Sequence, residues 1–124
     1  MGYRSDVAIA MYAMDVKDAP TIKLWIKENF PMPVWVDETE NVRWFDRGMI
    51  FNINGVKWYD DYEDIKAVHD ALGAFEELFV EEGDTPEGAY EFIRIGEDDD
   101  DTVQRRSNNS DYVLSLERNI YIGD

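Results

Sequence analysis

The run Val7-Ala8-Ile9-Ala10-Met11-Tyr12-Ala13 carries no charge at any position. Apolar residues that point to both sides of a strand must be covered on both sides, so the run predicts a buried central strand. Continued by Met14 it is the longest apolar stretch in the chain, and its eight residues fall far short of the roughly 20 that a membrane-spanning helix needs. The first residues, Met1 to Asp6, carry an acid where a secretory signal would have its apolar region, so an intracellular setting is expected.

The rest of the chain supplies partners for that strand. Asp18 and Pro20 open a helix in which Ile22, Trp25, Ile26 and Phe30 share one face, and Pro31 and Pro33 close it. Asn54-Gly55 lies between the apolar segments 49–53 and 56–59. Both residues accept positive φ, which predicts a two-residue type I′ hairpin whose first arm begins near Val42. A second helix follows, capped by Asp60 or Asp61. Its apolar stripe is Ile65, Val68, Leu72, Phe75 and Phe79, at spacings of 3, 4, 3 and 4. Segment 89–95 predicts another strand, 97–110 reads as a polar tract, and 112–116 and 120–122 predict the last strand or strands. The order β-α-β-β-α-β predicts an α+β single domain over 1–124. The expected arrangement is the ferredoxin-like split β-α-β, an antiparallel sheet with two helices on one face, and a C-terminal β extension.

Function is constrained mainly by charge. The chain has 28 acids and 12 bases, a net charge of −16. Residues 60–101 hold 17 acids against Lys66 and Arg94, so nearly the whole excess falls in 42 residues. Such a field repels nucleic acid and anionic lipid and attracts basic protein surfaces. Neither direct nucleic-acid binding nor membrane binding is therefore expected. Within this segment Glu63, Asp70, Glu77 and Glu81 follow spacings of 7, 7 and 4 on the side of the second helix away from its apolar stripe, with Glu76 nearby. A row of carboxylates on a rigid helix can imitate a phosphate backbone. With Asp98, Asp99, Asp100 and Asp101 these residues form the expected partner-binding set.

No catalytic residue, metal site or cofactor is expected. There is no cysteine, and the single histidine, His69, sits on the flank of the second helix without a nucleophile motif beside it. The 98–101 aspartates fail the calcium-loop pattern, because Val103 stands where glycine is needed and Asn109 where glutamate is needed. Trp35, Trp44, Trp58, Tyr59 and Tyr90 could stack bases on an open sheet, but the basic-Gly-aromatic strand motif of RNA-recognition domains is absent.

Three stretches, Met1-Gly2-Tyr3-Arg4-Ser5-Asp6-Val7, Gly55-Val56-Lys57-Trp58-Tyr59-Asp60 and Phe92-Ile93-Arg94-Ile95-Gly96-Glu97, resemble small acidic proteins of uncharacterised function encoded by tailed bacteriophages. The resemblance covers about 20 residues and transfers no site. It implies a setting, the bacterial cytoplasm, and proteins of this description often inhibit host factors by binding them. The expectation is a non-catalytic acidic protein-binding module, a phage-encoded nucleic-acid mimic that occupies a basic surface of a host defence or transcription protein. The alternative is a structural or accessory phage protein that homo-oligomerises through an aromatic sheet face with Trp44 and Trp58.

Overall fold

The computed structural model describes residues 4–33, 36–59, 61–80, 86–97, 101–116 and 120–122. Strand β1 (Ser5–Ala13) is the uncharged run and lies at the centre of a five-stranded antiparallel sheet. A single 3₁₀ turn (Val16–Asp18) leads into helix α1 (Ala19–Asn29), which has a proline in its first turn. A four-residue helix, α2 (Glu38–Asn41), precedes β2 (Val42–Trp44) and β3 (Gly48–Val56). Helix α3 (Glu63–Phe79) connects to β4 (Gly88–Ile95), followed by β5 (Thr102–Arg106). The strand order is β2-β3-β1-β4-β5, and β6 (Leu114–Leu116) pairs with β7 (Ile120–Ile122) as a separate two-stranded ladder. The architecture is α+β, with three helices among the described residues.

Alternation along β1 splits its side chains between two apolar clusters. Val7, Ile9, Met11 and Ala13 join Ile22 and Ile26 of α1, the α3 stripe, and Met49, Phe51 and Phe92. Trp25 sets its ring edge-on to Phe75 and Phe79, which ties α1 to α3. Ala8, Ala10 and Tyr12 join Ile50, Ala89, Ile93, Val113 and Leu114. The small residues in this second cluster leave room for the C-terminal segment to lie close to the strands. Neither side of β1 is left open, as its composition requires.

Four expectations from the sequence are corrected. Asn54-Gly55 does not turn a hairpin but lies inside β3. The ladder pairs Ser5 with Val56 and Val7 with Ile53, so three steps on β3 oppose two on β1. Gly55 does take positive φ, +68°, in a β-bulge, a second structure that an Asn-Gly pair can supply. Two contacts from the neighbouring strand region hold it, since Gly55 N–H donates to Asp6 Oδ1 (2.9 Å) and Arg4 donates to Gly55 O (2.8 Å). The real hairpin joins β2 to β3, closed where Phe45 N–H donates to Gly48 O (2.9 Å).

The second correction concerns segment 97–110. It is not wholly loop, because β5 pairs with β4 from Glu91–Arg106 to Ile95–Thr102. An edge strand needs few apolar residues, and only Val103 of β5 reaches the core. Third, Tyr62 holds the N-cap position of α3 and offers no side-chain cap, with Glu63 and Asp64 in the first turn. Of the two expected caps, Asp61 lies before that position and Asp60 lies outside the described residues. Fourth, Trp58 is not on a sheet surface. It is 3% exposed and packs against Phe51, His69 and Phe92.

Candidate functional site

The acidic residues singled out from sequence divide into three groups. Glu63, Asp70 and Glu77 are all exposed on α3, on the side away from the buried Ile65, Val68, Leu72, Phe75 and Phe79. At about 1.5 Å of rise per residue, successive members stand about 10 Å apart. Exposed Lys66 interrupts the row between Glu63 and Asp70. Between Asp70 and Glu77 lies Gly73, where an added Cβ would meet nothing within 4 Å, so the helix surface there is open to an approaching molecule.

Two residues have structural work instead. Glu76 is exposed but lies toward β4, close enough to act on the Tyr90 hydroxyl. Burial, reinforced by the charge and bond of Glu76, holds the Tyr90 phenol above its ordinary range, and Arg105 acts against this. Asp101 takes a two-pronged ion pair from Arg94, at 2.8 and 3.2 Å, and its carbonyl accepts from Gly96 N–H (2.7 Å). It therefore closes the β4–β5 turn. Glu81, Asp98, Asp99 and Asp100 lie outside the described residues.

The strongest polar constellation is one that sequence reasoning missed. Glu91, in the middle of β4, is wholly buried. Its carboxylate accepts from the Tyr12 hydroxyl (2.5 Å), Val113 N–H (2.8 Å) and Leu114 N–H (2.8 Å). Arg106 Nε lies 3.6 Å from it, a charge neighbour rather than a hydrogen bond. The Tyr12 hydroxyl also accepts from Asp111 N–H (2.8 Å). Burial, then the bond to Glu91, pushes the Tyr12 phenol well above its ordinary range.

Arginines complete this clasp from both sides. Arg47 stacks over the Tyr12 ring and donates to Asp111 Oδ2 (2.7 Å). Arg106 donates to Leu114 O (2.9 Å) and stacks on the Tyr112 ring. Tyr112 takes φ +56°, a left-handed conformation that an aromatic residue rarely adopts unless its surroundings hold it there. The constellation fastens segment 111–114 over the second side of the sheet. One signal was available in sequence. Alternation places Glu91 with Ala89 and Ile93, so an acid sat at a position that should be buried.

Among the described residues no group of histidine, cysteine, aspartate or glutamate is arranged to hold a metal, and no helix is long and apolar enough to cross a membrane. His69 packs edge-on to Phe92 and Trp58, as the flank of a core helix does. No protein-family model, curated protein or solved structure matches the chain.

Proposed function

We propose that this chain is a non-catalytic acidic protein-binding module that presents the outer side of α3 to a basic surface of a partner protein. The observation that carries the reading is the exposed row Glu63, Asp70 and Glu77 on a helix whose inner side is fixed in the core. Carboxylates repeated about 10 Å apart along a rigid helix present regularly spaced negative charge, as a phosphate backbone does. A Lys/Arg groove built for nucleic acid can therefore attract the row by charge. The resemblance to phage proteins supports a host defence or transcription protein as partner and the bacterial cytoplasm as the setting.

We also read the sheet as the ferredoxin-like split β-α-β. The order β2-β3-β1-β4 and crossovers through α1 and α3 that each skip one strand support this, with β5 added at the edge. Both helices share a core cluster with the odd-numbered residues of β1, which supports placing them on one face. Homo-oligomerisation through an aromatic face loses one of its two residues, because Trp58 is buried and only Trp44 is exposed.

The test is affinity capture from bacterial lysate at about 50 mM and about 500 mM salt, run in parallel with Asp70→Lys/Glu77→Lys. The expected result is a partner bearing a nucleic-acid-binding surface, released by the higher salt and not captured by the variant. Capture that ignores both salt and the double substitution would refute the reading.

A further inference from the structure

A second surface lies at the β2 edge of the sheet. Strand β2 pairs with β3 on one side and with no strand on the other among the described residues. The Phe45–Gly48 closure and antiparallel alternation make Arg43–Ile50 the bonded pair and turn the main-chain groups of Val42 and Trp44 off the sheet. Val42 N–H is taken by Glu38 O at the end of α2. Val42 C=O, Trp44 N–H and Trp44 C=O face outward.

Beside this edge is a groove of about 290 Å³ lined by Ile26, Phe30, Met32, Val42, Trp44 and Met49. Small-molecule pockets start at roughly 300 Å³, so this one suits one or two side chains rather than a larger ligand. Trp44 is 40% exposed, with Lys27 Nζ 5.1 Å from its ring centre, so the lysine of the groove already has an aromatic partner. Glu38 also lines the groove, and two more exposed acids stand beside it, Asp37 at the N-cap of α2 and Glu40 on the helix. Thr39 donates to Asp37 through its hydroxyl and N–H, and these bonds hold the Asp37 carboxyl below the usual range.

An unpaired strand edge next to a side-chain pocket is the geometry of β-strand addition. A second copy of this chain fits poorly. Antiparallel self-pairing of β2 about its middle residue would set Arg43 opposite Arg43, and two bodies of charge −16 repel. A cationic segment has no such penalty. On an added strand, residues two apart point to the same side. An apolar residue facing the groove therefore brings the residues two places away toward the α2 acids.

We propose that the β2 edge and its groove form a docking site for an extended peptide carrying one large apolar residue with lysine or arginine two positions away. This site is separate from the outer side of α3 and stands independently of the function proposed for it. The probe is Thr-Lys-Thr-Leu-Thr-Lys-Thr, followed by amide NMR titration and calorimetry. The controls replace leucine by serine or both lysines by glutamate. The parent should bind the probe at least tenfold more tightly than either control, with the Trp44 amide among the most shifted.

Trp44→Pro, which removes an outward N–H and no ladder bond, should weaken binding at least tenfold, and by more than Trp44→Val, which loses the same groove wall but keeps the N–H. Glu38→Lys should reverse the preference toward the glutamate peptide, a readout that holds even if the proline variant fails to fold. Asp70→Lys/Glu77→Lys should bind the probe like the parent, which separates this site from the α3 surface. Equal binding of all three peptides, or an unchanged preference in Glu38→Lys, would overturn the proposal.

Discussion

Replacing Glu91 by alanine should release the C-terminal segment before it unfolds the sheet. The substitution removes the acceptor for three donors, Tyr12 hydroxyl, Val113 N–H and Leu114 N–H, and leaves Arg106 beside a void. Hydrogen bonds to a charged group contribute about 1.5–3 kcal/mol each, but the losses overlap because the donors share one carboxylate. Stranding buried partners of a charge costs about 3–5 kcal/mol in total. At about 2.1 cal/mol/K of unfolding entropy per residue over 124 residues, each kcal/mol is worth about 4 °C, so Tm should fall by roughly 12–20 °C. Hydrogen exchange gives the residue-level check. The Val113 and Leu114 amides should lose protection by a larger factor than those of Ile9 and Ala10 in the central strand. Glu91→Gln, which keeps the shape and one acceptor, should cost less. A Tm within 2 °C of the parent, with Val113 and Leu114 still protected, would refute the clasp.

Other perturbations bear on the same framework. Tyr12→Phe should cost about 1–2 kcal/mol at pH 7 by removing the hydroxyl between Glu91 and Asp111. Because the folded phenol is held above its ordinary value near 10, its contribution is whole below that pH and is lost as pH rises beyond it. Thermal melts of the parent should therefore drop more steeply above pH 10 than those of Tyr12→Phe. Gly88→Ala should destabilise by about 1–3 kcal/mol in urea unfolding, since its Cβ would stand 2.7 Å from the fully buried Phe75 ring. Gly55→Ala meets open space and should cost only the strain of φ +68°, about 1–2 kcal/mol by the same measurement. Added salt at pH 7 should raise Tm by screening the excess negative charge of residues 60–101.

The elements most legible in sequence were those whose pattern had one structural solution. The uncharged run from Val7 to Met14 had to be central, and a stripe at 3-4-3-4 spacing had to be the inner side of a helix. Gly55 signalled positive φ correctly but not its use, because a tight turn and a bulge both call for a left-handed glycine, whereas Asn54 does not take the positive φ that the turn would need. What decides between them is Asp6, distant in sequence, which accepts from Gly55 N–H. Strand β5 escaped notice because Thr-Val-Gln-Arg-Arg carries almost no apolar signal, and its pairing is specified by β4. Glu91 was hidden for a related reason. Its three donors come from residues 12, 113 and 114, and no local window contains them. The outer row of α3 was legible as exposed acid, whereas the ties of Glu76 to Tyr90 and Asp101 to Arg94 depended on strand neighbours.

The most direct test of the acidic-helix reading is the affinity of the captured partner as a function of salt, measured for the parent and for Asp70→Lys/Glu77→Lys. Both positions are exposed and lie off the buried stripe, so each substitution should cost about 0.5 kcal/mol or less in stability. The parent's Kd should rise steeply between about 50 and 500 mM salt. The variant, with cations set against the partner's cations, should bind at least a hundredfold more weakly at low salt. A double-lysine protein that melts like the parent and binds with the same Kd and the same salt dependence would contradict the assignment of α3 as the contact surface.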